Sequence, residues 1–470
     1  MSSDSPYGKA LEKAKSHSPS STPRENRSSR DDAPRKPRES RNDNSGNPGR
    51  SGNSSSRANS ERPQRDSRPN RQENRSRSKA QNKNQSRARR HSAPDRILDT
   101  LEIVTEKMVP GGKALARLDG QIVLIEGALS EERVLVDIYK KKKGFMEGKV
   151  NKILEASPYR RKAECMHYGV CGGCDMQEAT IEGQRKFKQE MLIETMQRQG
   201  RIENPPMLDM VGGAEWDYRV RARFVKVQGG WGFRKKNSND TVLIEECPIM
   251  NPDLLEAVVE NRNLQKDRQE VQLFCGEDGD NLIAGADNNQ FTSLNLLGKK
   301  IVADNRGFFQ SNTEVFRMLL ENELSDLEGK LAIDLFSGVG PFAAILEDKF
   351  EKVIAVEADE RCLRVAKKNL KKTKFFTERA EEWAVSNPDL EPDLLVVDPP
   401  REGLDAKLIK MIASWKPKKV LYVSCDPVTQ ARDLRIFNEE TDYELLSVRG
   451  YDFYPQTHHM ESVAWLELKD

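Results

Sequence analysis

The last third of the chain constrains the fold most strongly, because short apolar runs alternate there with helix-like segments. Leu331–Phe336, Val353–Glu357, Leu394–Pro400 and Val420–Cys425 are such runs, too short for helices and rich in Val, Ile and Leu. Helical stretches separate them, including Arg361–Leu370. Strands alternating with helices predict a doubly wound, mostly parallel α/β sheet of the Rossmann-like kind. Such a sheet binds ligands at the carboxyl ends of its strands. The residues that close these runs are therefore the first candidates for a site.

The opposite extreme lies at the other end. Between Leu11 and Ile97 there is no Val, Ile, Leu, Met, Phe, Trp, Tyr or Cys. Nothing there can be buried to offset chain entropy, so residues 1–95 are expected to be a disordered arm. It holds 23 Lys and Arg against 11 Asp and Glu, which leaves the other 375 residues net acidic in a chain of net charge +2. A polycation without aromatics suits a polyanion such as RNA, through release of counterions. A tail that only aids solubility is the plainer reading. No run of 18 apolar residues is present and the N-terminus lacks an apolar leader, so neither a membrane span nor a secretory signal is expected. Seven cysteines, an odd number, argue against a disulfide framework and for a reducing cytoplasm.

Residues 96–156 read as short strands broken by Gly, with runs at 122–125, 134–139 and 149–154. Short strands without a long helix predict a small barrel of the oligonucleotide-binding kind. Lys140–Lys143 would track a phosphate backbone or, equally, guard an edge strand. Next comes Cys165-x5-Cys171-x2-Cys174, with Gly172 and Gly173 in the turn and Cys247 further on before Pro248. Four thiolates suit Zn²⁺ or an iron–sulfur cluster. The lone distant fourth Cys favours the cluster, and buried metal-free thiols are the alternative. A charged helix is expected over 182–199. Arg219, Arg221 and Arg223 recur at period 2 on one strand face, for RNA phosphate or for acidic groups of the protein itself.

The Gly338-x-Gly340-x-x-Ala343 turn alone would allow NAD. Asp334, upstream on the same strand, favours a cationic amino-acid portion over a pyrophosphate. Glu357 suits ribose hydroxyls, and Asp398-Pro399-Pro400-Arg401 is typical of base-modifying methyltransferases. S-adenosylmethionine (SAM) is the reading these combine to give. Methylation at uracil C5 needs a thiolate that adds to C6 and a base that removes the C5 proton. Cys425, in Ser424-Cys425-Asp426-Pro427, and Glu461, in His458-His459-Met460-Glu461, are the candidates. Each alone has a plain alternative, a buried Cys and a solvated Glu.

Taken in order, these motifs resemble the RNA uracil-C5 methyltransferase family, in its iron–sulfur branch with a TRAM domain, most nearly the group acting on 23S rRNA. The matching segments run from about residue 100 to the C-terminus. They include Ser157–Arg160, Cys165–Cys174 with Cys247, Phe309–Asn312, Asp334–Gly340, Asp398–Gly403, Ser424–Asp433 and His459–Glu461. The resemblance implies Cys425 as nucleophile and Glu461 as proton acceptor. It implies Gln310, Phe336, Glu357 and Asp398 around SAM and the base. It also implies Cys165, Cys171, Cys174 and Cys247 on a [4Fe–4S] cluster. The segment Glu378-Arg379-Ala380 departs from it, lacking the usual Asp or Asn for adenine.

The expected organisation is a basic arm (1–95), a TRAM or OB-like barrel (96–156), a central α+β domain with the cysteines (157–300) and a SAM-dependent methyltransferase domain (301–470). The expected activity is C5 methylation of uridine in structured RNA, with 23S rRNA favoured over tRNA. A non-catalytic RNA-binding factor and an NAD-type oxidoreductase are the alternatives. No protein partner follows from the sequence.

Overall fold

The computed structural model describes residues 96–260, 262, 268–277, 283–284, 290–304 and 307–469; the basic arm of 1–95 lies outside them. The chain from Pro94 onward forms one compact unit. Among the described residues no helix is long and apolar enough to cross a membrane.

The first sheet holds β1 (Asp99–Val104), β2 (Lys107–Val109), β3 (Lys113–Leu118), β4 (Gln121–Glu126), β5 (Arg133–Lys142) and β6 (Phe145–Glu155) in the order β1-β5-β6-β4-β3-β2. β1 and β2 are two halves of one strand, bent at Thr105–Glu106. The first half pairs with β5 and the second with β3, so the two ends of the order meet and the sheet closes. Only β4 and β6 run parallel. Alternate residues fill the interior, among them Ala114, Ala116, Val123, Ile125, Val134, Val136 and Ile138, all fully buried. At the bend the Thr105 hydroxyl donates to Leu129 O at 2.6 Å. Buried Glu132 accepts from Leu129 N at 2.8 Å, Ser157 N at 3.1 Å and Arg160 Nη2 at 2.7 Å. Of the lysine run, Lys140 and Lys141 pair with Glu147 and Asp99 on neighbouring strands, while Lys142 and Lys143 are exposed.

The chain then forms α1 (Ile181–Arg198), β7 (Met207–Val211), β8 (Arg221–Val227), β9 (Gly230–Arg234), β10 (Thr241–Leu243), α2 (Pro252–Glu260), β11 (Glu270–Phe274), β12 (Ile283–Ala284), and a hairpin of β13 (Phe291–Leu296) and β14 (Lys299–Asp304). An antiparallel sheet, β10-β9-β8-β11-β12, is the body of this region. The period-2 arginines do not share one environment. Arg221 is buried and donates to Gly307 O and Phe309 O, whereas Arg223 is exposed. Arg221 thus fixes the segment leading to Gln310.

The remainder comprises α3 (Thr313–Leu324), β15 (Gly329–Leu335), α4 (Pro341–Leu346), β16 (Phe350–Val356), α5 (Glu360–Asn369), β17 (Lys374–Phe376), α6 (Ala380–Ser386), β18 (Leu394–Val397), α7 (Ala406–Trp415), β19 (Lys419–Ser424), α8 (Pro427–Glu440), β20 (Tyr443–Tyr451) and β21 (Glu461–Leu468). Its sheet runs β17-β16-β15-β18-β19-β21-β20-β7. The first five are parallel, and β21 is antiparallel to both β19 and β20. Both faces are covered. Ala332, Ala355, Val396 and Leu421 enter one core, and Ile333, Ile354, Leu395 and Val420 enter the other. Each of the Val, Leu and Ile side chains contributes about 1.5–3 kcal/mol by leaving water.

Two elements cross the expected boundary at 300. β7 joins the methyltransferase sheet beside β20, with Met191, Leu192 and Met196 of α1 packed into the same core as Ala431 and Leu434 of α8. The β13–β14 hairpin straddles residue 300, and its Leu294, Leu296 and Ile301 pack with α3 and α4 residues.

Candidate active site

Strand order reverses direction between β15 and β18: the chain winds outward to β17, then returns to β18 and β19. The carboxyl ends beside that reversal open a cavity of about 680 Å³, the size of a nucleoside-type ligand site. After β15 the backbone turns at Phe336, which has φ 63°. A left-handed aromatic residue is held against about 1–3 kcal/mol of strain, a feature concentrated at functional sites. The turn brings Gly338 N to Glu357 Oε2 at 2.9 Å, and Asp359 N donates to Glu357 Oε1 at 2.7 Å. Each oxygen keeps a lone pair for a ribose hydroxyl.

Phe336, Glu357, Gln310 and Asp398 all line this cavity, as do Cys425 and Glu461. Gln310 Oε1 and Ser337 Oγ are buried without a hydrogen-bond partner, which marks them as groups awaiting a ligand. Burial pushes the Asp398 carboxyl up to about 7. The lining also includes Glu378, Arg379 and Ala380, the segment without the usual Asp or Asn. Orphaned polar atoms and several carboxyls around an apolar hollow fit a cationic ligand such as SAM.

Asp334 commits one oxygen to the fold, while its Oδ1 is buried without a partner. It is fully buried, does not line the cavity, and accepts from Ala343 N at 3.1 Å, so it fastens the start of α4 to β15. It supports the glycine turn from below.

The sheet brings Cys425 and Glu461 together. Ser424 at the end of β19 pairs with Ser462 of β21, so Cys425 and Glu461 leave the sheet side by side. Cys425 stands one residue before the α8 cap, where Asp426 accepts from Val428 N at 3.0 Å. Burial, then the neighbouring Glu461 and Asp398 carboxylates, push its thiol up to about 11, against the pull of Arg401. Burial likewise holds Glu461 well above the usual carboxylate range, and Asp398 adds to this. Tyr454 Oη donates to Glu461 Oε1 at 3.5 Å. Tyr454 and Arg401 are contributors to which no role was assigned from sequence; the DPPR turn was the only signal for Arg401.

A second cavity of about 670 Å³ is lined by Cys165, Cys171, Cys174 and Cys247 together with Arg219, Arg223 and Lys236. The tight turn forms as Cys171 N donates to His167 O at 2.9 Å and Gly172 N to Arg234 O at 3.0 Å. All four thiols are free. Burial raises each, Cys174 and Cys247 to about 12; neighbouring cysteines add to the effect at Cys171, Cys174 and Cys247, and Glu246 at Cys165. Among the described residues no three His, Cys, Asp or Glu side chains come together as a ready-made site for a single metal ion.

The family model described as tRNA (uracil-5-)-methyltransferase matches residues 184–469. The chain belongs to this family. An RNA methyltransferase of Treponema denticola is 32% identical over 401 residues, covering 77% of this chain and 98% of the relative. The 23S rRNA (uracil(1939)-C(5))-methyltransferase RlmD of Cronobacter sakazakii is 29% identical, covering 80% and 99%. The crystal structure of Pyrococcus abyssi tRNA (uracil-54, C5)-methyltransferase with S-adenosyl-L-homocysteine shares the fold, with a TM-score of 0.62 at 21% identity over 78% of this chain and 99% of that one. The protein is a SAM-dependent RNA uracil-C5 methyltransferase.

Proposed function

We propose that Cys425 and Glu461 carry out the C5 methylation and that the substrate is 23S rRNA. The single observation that carries this is the β19–β21 register, which sets a thiol and a carboxyl side by side at the mouth of a cavity suited to SAM. When bound, SAM supplies a methyl group on a sulfonium.

Cys425, as its thiolate, adds through Sγ to uracil C6, and the C5–C6 π pair moves onto the ring as an enolate. C5 then takes the methyl group. The Glu461 carboxylate removes the C5 proton, the pair returns to C5–C6, and the C6–S bond breaks. Burial makes Glu461 a stronger base once it is ionised. Tyr454 and Arg401 favour its ionised form.

Cys165, Cys171, Cys174 and Cys247 would hold a [4Fe–4S] cluster. All four line one cavity, which supports that reading. The cluster would supply structural cross-linking of the central region. The closed barrel of 96–156, with one parallel pair in the order of an oligonucleotide-binding fold, supports reading it as a TRAM-like RNA grip. The basic arm would add non-specific affinity in the cytoplasm.

The relatives named for 23S rRNA at 29% identity over most of the chain support rRNA over tRNA. Glu461→Gln tests the chemistry: a covalent RNA–protein species should accumulate with 23S rRNA fragments and SAM on denaturing gels. Normal product release by that variant would remove Glu461 from the role, and turnover on tRNA alone would reverse the substrate reading.

A further inference from the structure

The loop between β20 and β21 ends on Glu461, and it is tied to the cysteine segment by an unusually complete set of bonds. Asp175, next to Cys174, donates its N–H to Gln456 O at 3.0 Å, and Met176 N donates to the same oxygen at 3.1 Å. In return His458 N donates to Asp175 Oδ1 at 2.9 Å, and His458 Nδ1 meets Asp175 Oδ2 at 2.6 Å.

The contact continues towards the site. The His458 and His459 rings lie 4.0 Å apart, and His459 packs edge-on to Tyr454 at 6.3 Å. Tyr454 in turn donates to Glu461. The two histidines line both the cysteine cavity and a small cavity that Cys425 and Arg401 also line. The loop is strained and needs fastening: Gln456 has φ 71°. Gln184 of α1 holds its backbone N–H at 2.7 Å.

We propose that Asp175 and His458 are positioning residues for the methyl-transfer reaction, forming a latch by which the cysteine segment sets the 452–460 loop and, through it, the Glu461 carboxyl. Neither residue touches the reacting atoms. The latch bears on proton removal from C5, because Tyr454 of the same loop donates to the Glu461 carboxyl, whereas Cys425 follows directly on β19. The inference rests on Glu461 being the base.

The test compares two RNA substrates on the full-length protein, loaded as isolated. With uridine RNA, Asp175→Ala and His458→Phe should lower kcat at least 10-fold with KM little changed, and the covalent RNA–protein species should accumulate. With 5-fluorouridine RNA, which has no C5 proton to lose, adduct formation should proceed at the wild-type rate. His458→Asn keeps a donor near Nδ1 and should recover most of the turnover. Hydrogen exchange of the 452–462 peptide should rise in Asp175→Ala and not in His458→Asn.

Equal losses on both RNAs, with a lowered melting temperature, would show a merely structural bond and overturn the proposal. Unchanged kcat in a variant that exchanges faster would overturn it as well. If Glu461→Gln itself releases product normally, the assignment of the base fails first, which separates the two failures.

Discussion

Replacing Asp398 by Asn should stabilise the protein above neutral pH while disabling it. Burial alone lifts this carboxyl from an ordinary 3.8 to about 7. Between those values the folded protein keeps a proton that the unfolded chain has lost. Stability is therefore lost as pH rises from about 4 to about 7, and the loss persists above. Three pKa units correspond to about 4 kcal/mol, an upper bound on the penalty at pH 8. With an unfolding entropy of roughly 2.1 cal/mol/K per residue over the part that folds, that is about 5 °C in Tm. Unfolding curves of wild type and Asp398→Asn, taken from pH 5 to pH 8, give the comparison. The gap should open across this range, and saturating SAM should narrow it, since a sulfonium beside the carboxylate relieves the same penalty. Parallel pH profiles would refute the argument, because the carboxyl would then be solvated or paired in the folded state.

Three further outcomes follow from the geometry. Cys425, with its thiol at about 11 instead of 9.0, should be alkylated by iodoacetamide at pH 8 about 10-fold more slowly than an ordinary cysteine. That figure combines about 100-fold less thiolate with partly compensating nucleophilicity, and a rate plateau below pH 9 in peptide-resolved mass spectrometry would contradict it. Lys188 and Asp452 form a fully buried pair at 2.5 Å, with Arg185 also reaching Asp452. Lys188→Met should therefore cost about 3 kcal/mol in denaturant unfolding, near the low end for a broken buried pair. Glu347 accepts from Lys371 N, Lys372 N and Thr373 N at 2.7–2.9 Å, and these bonds hold its pKa down despite burial. Its contribution is present above about pH 4.5 and lost as pH falls; Glu347→Ala should cost about 1–3 kcal/mol at pH 7 by the same measurement.

The α/β core was legible because its signals are local. The runs Val353–Glu357 and Val420–Cys425 fall on β16 and β19, the first of which begins three residues earlier at Phe350, and the helix expected over 182–199 spans Ile181–Arg198. The residues that close those strands converge on one cavity for the same reason: topology sends every parallel strand end to one side. What stayed hidden depends on long-range pairing. Nothing local in Met207–Val211 says that it will lie beside β20. Arg221 looked like its neighbours on a period-2 face, but only the fold shows that carbonyls of 307 and 309 meet its guanidinium. Asp334 shows the same limit: its distance from the glycines fits a ligand contact or a bond to α4 equally well, and one oxygen takes the bond to α4 while the other is buried without a partner. The arrangement of Glu461 opposite Cys425 rests on an antiparallel register between segments some 36 residues apart.

The central claim is C5 methylation through Cys425, and tritium release tests it most directly. RNA carrying tritium at uridine C5 would be incubated with SAM and the anaerobically purified protein, using 23S rRNA and tRNA in parallel. The account predicts release to water that needs SAM, is lost in Cys425→Ala, and occurs with 23S rRNA. Release that persists in Cys425→Ala would contradict the covalent route.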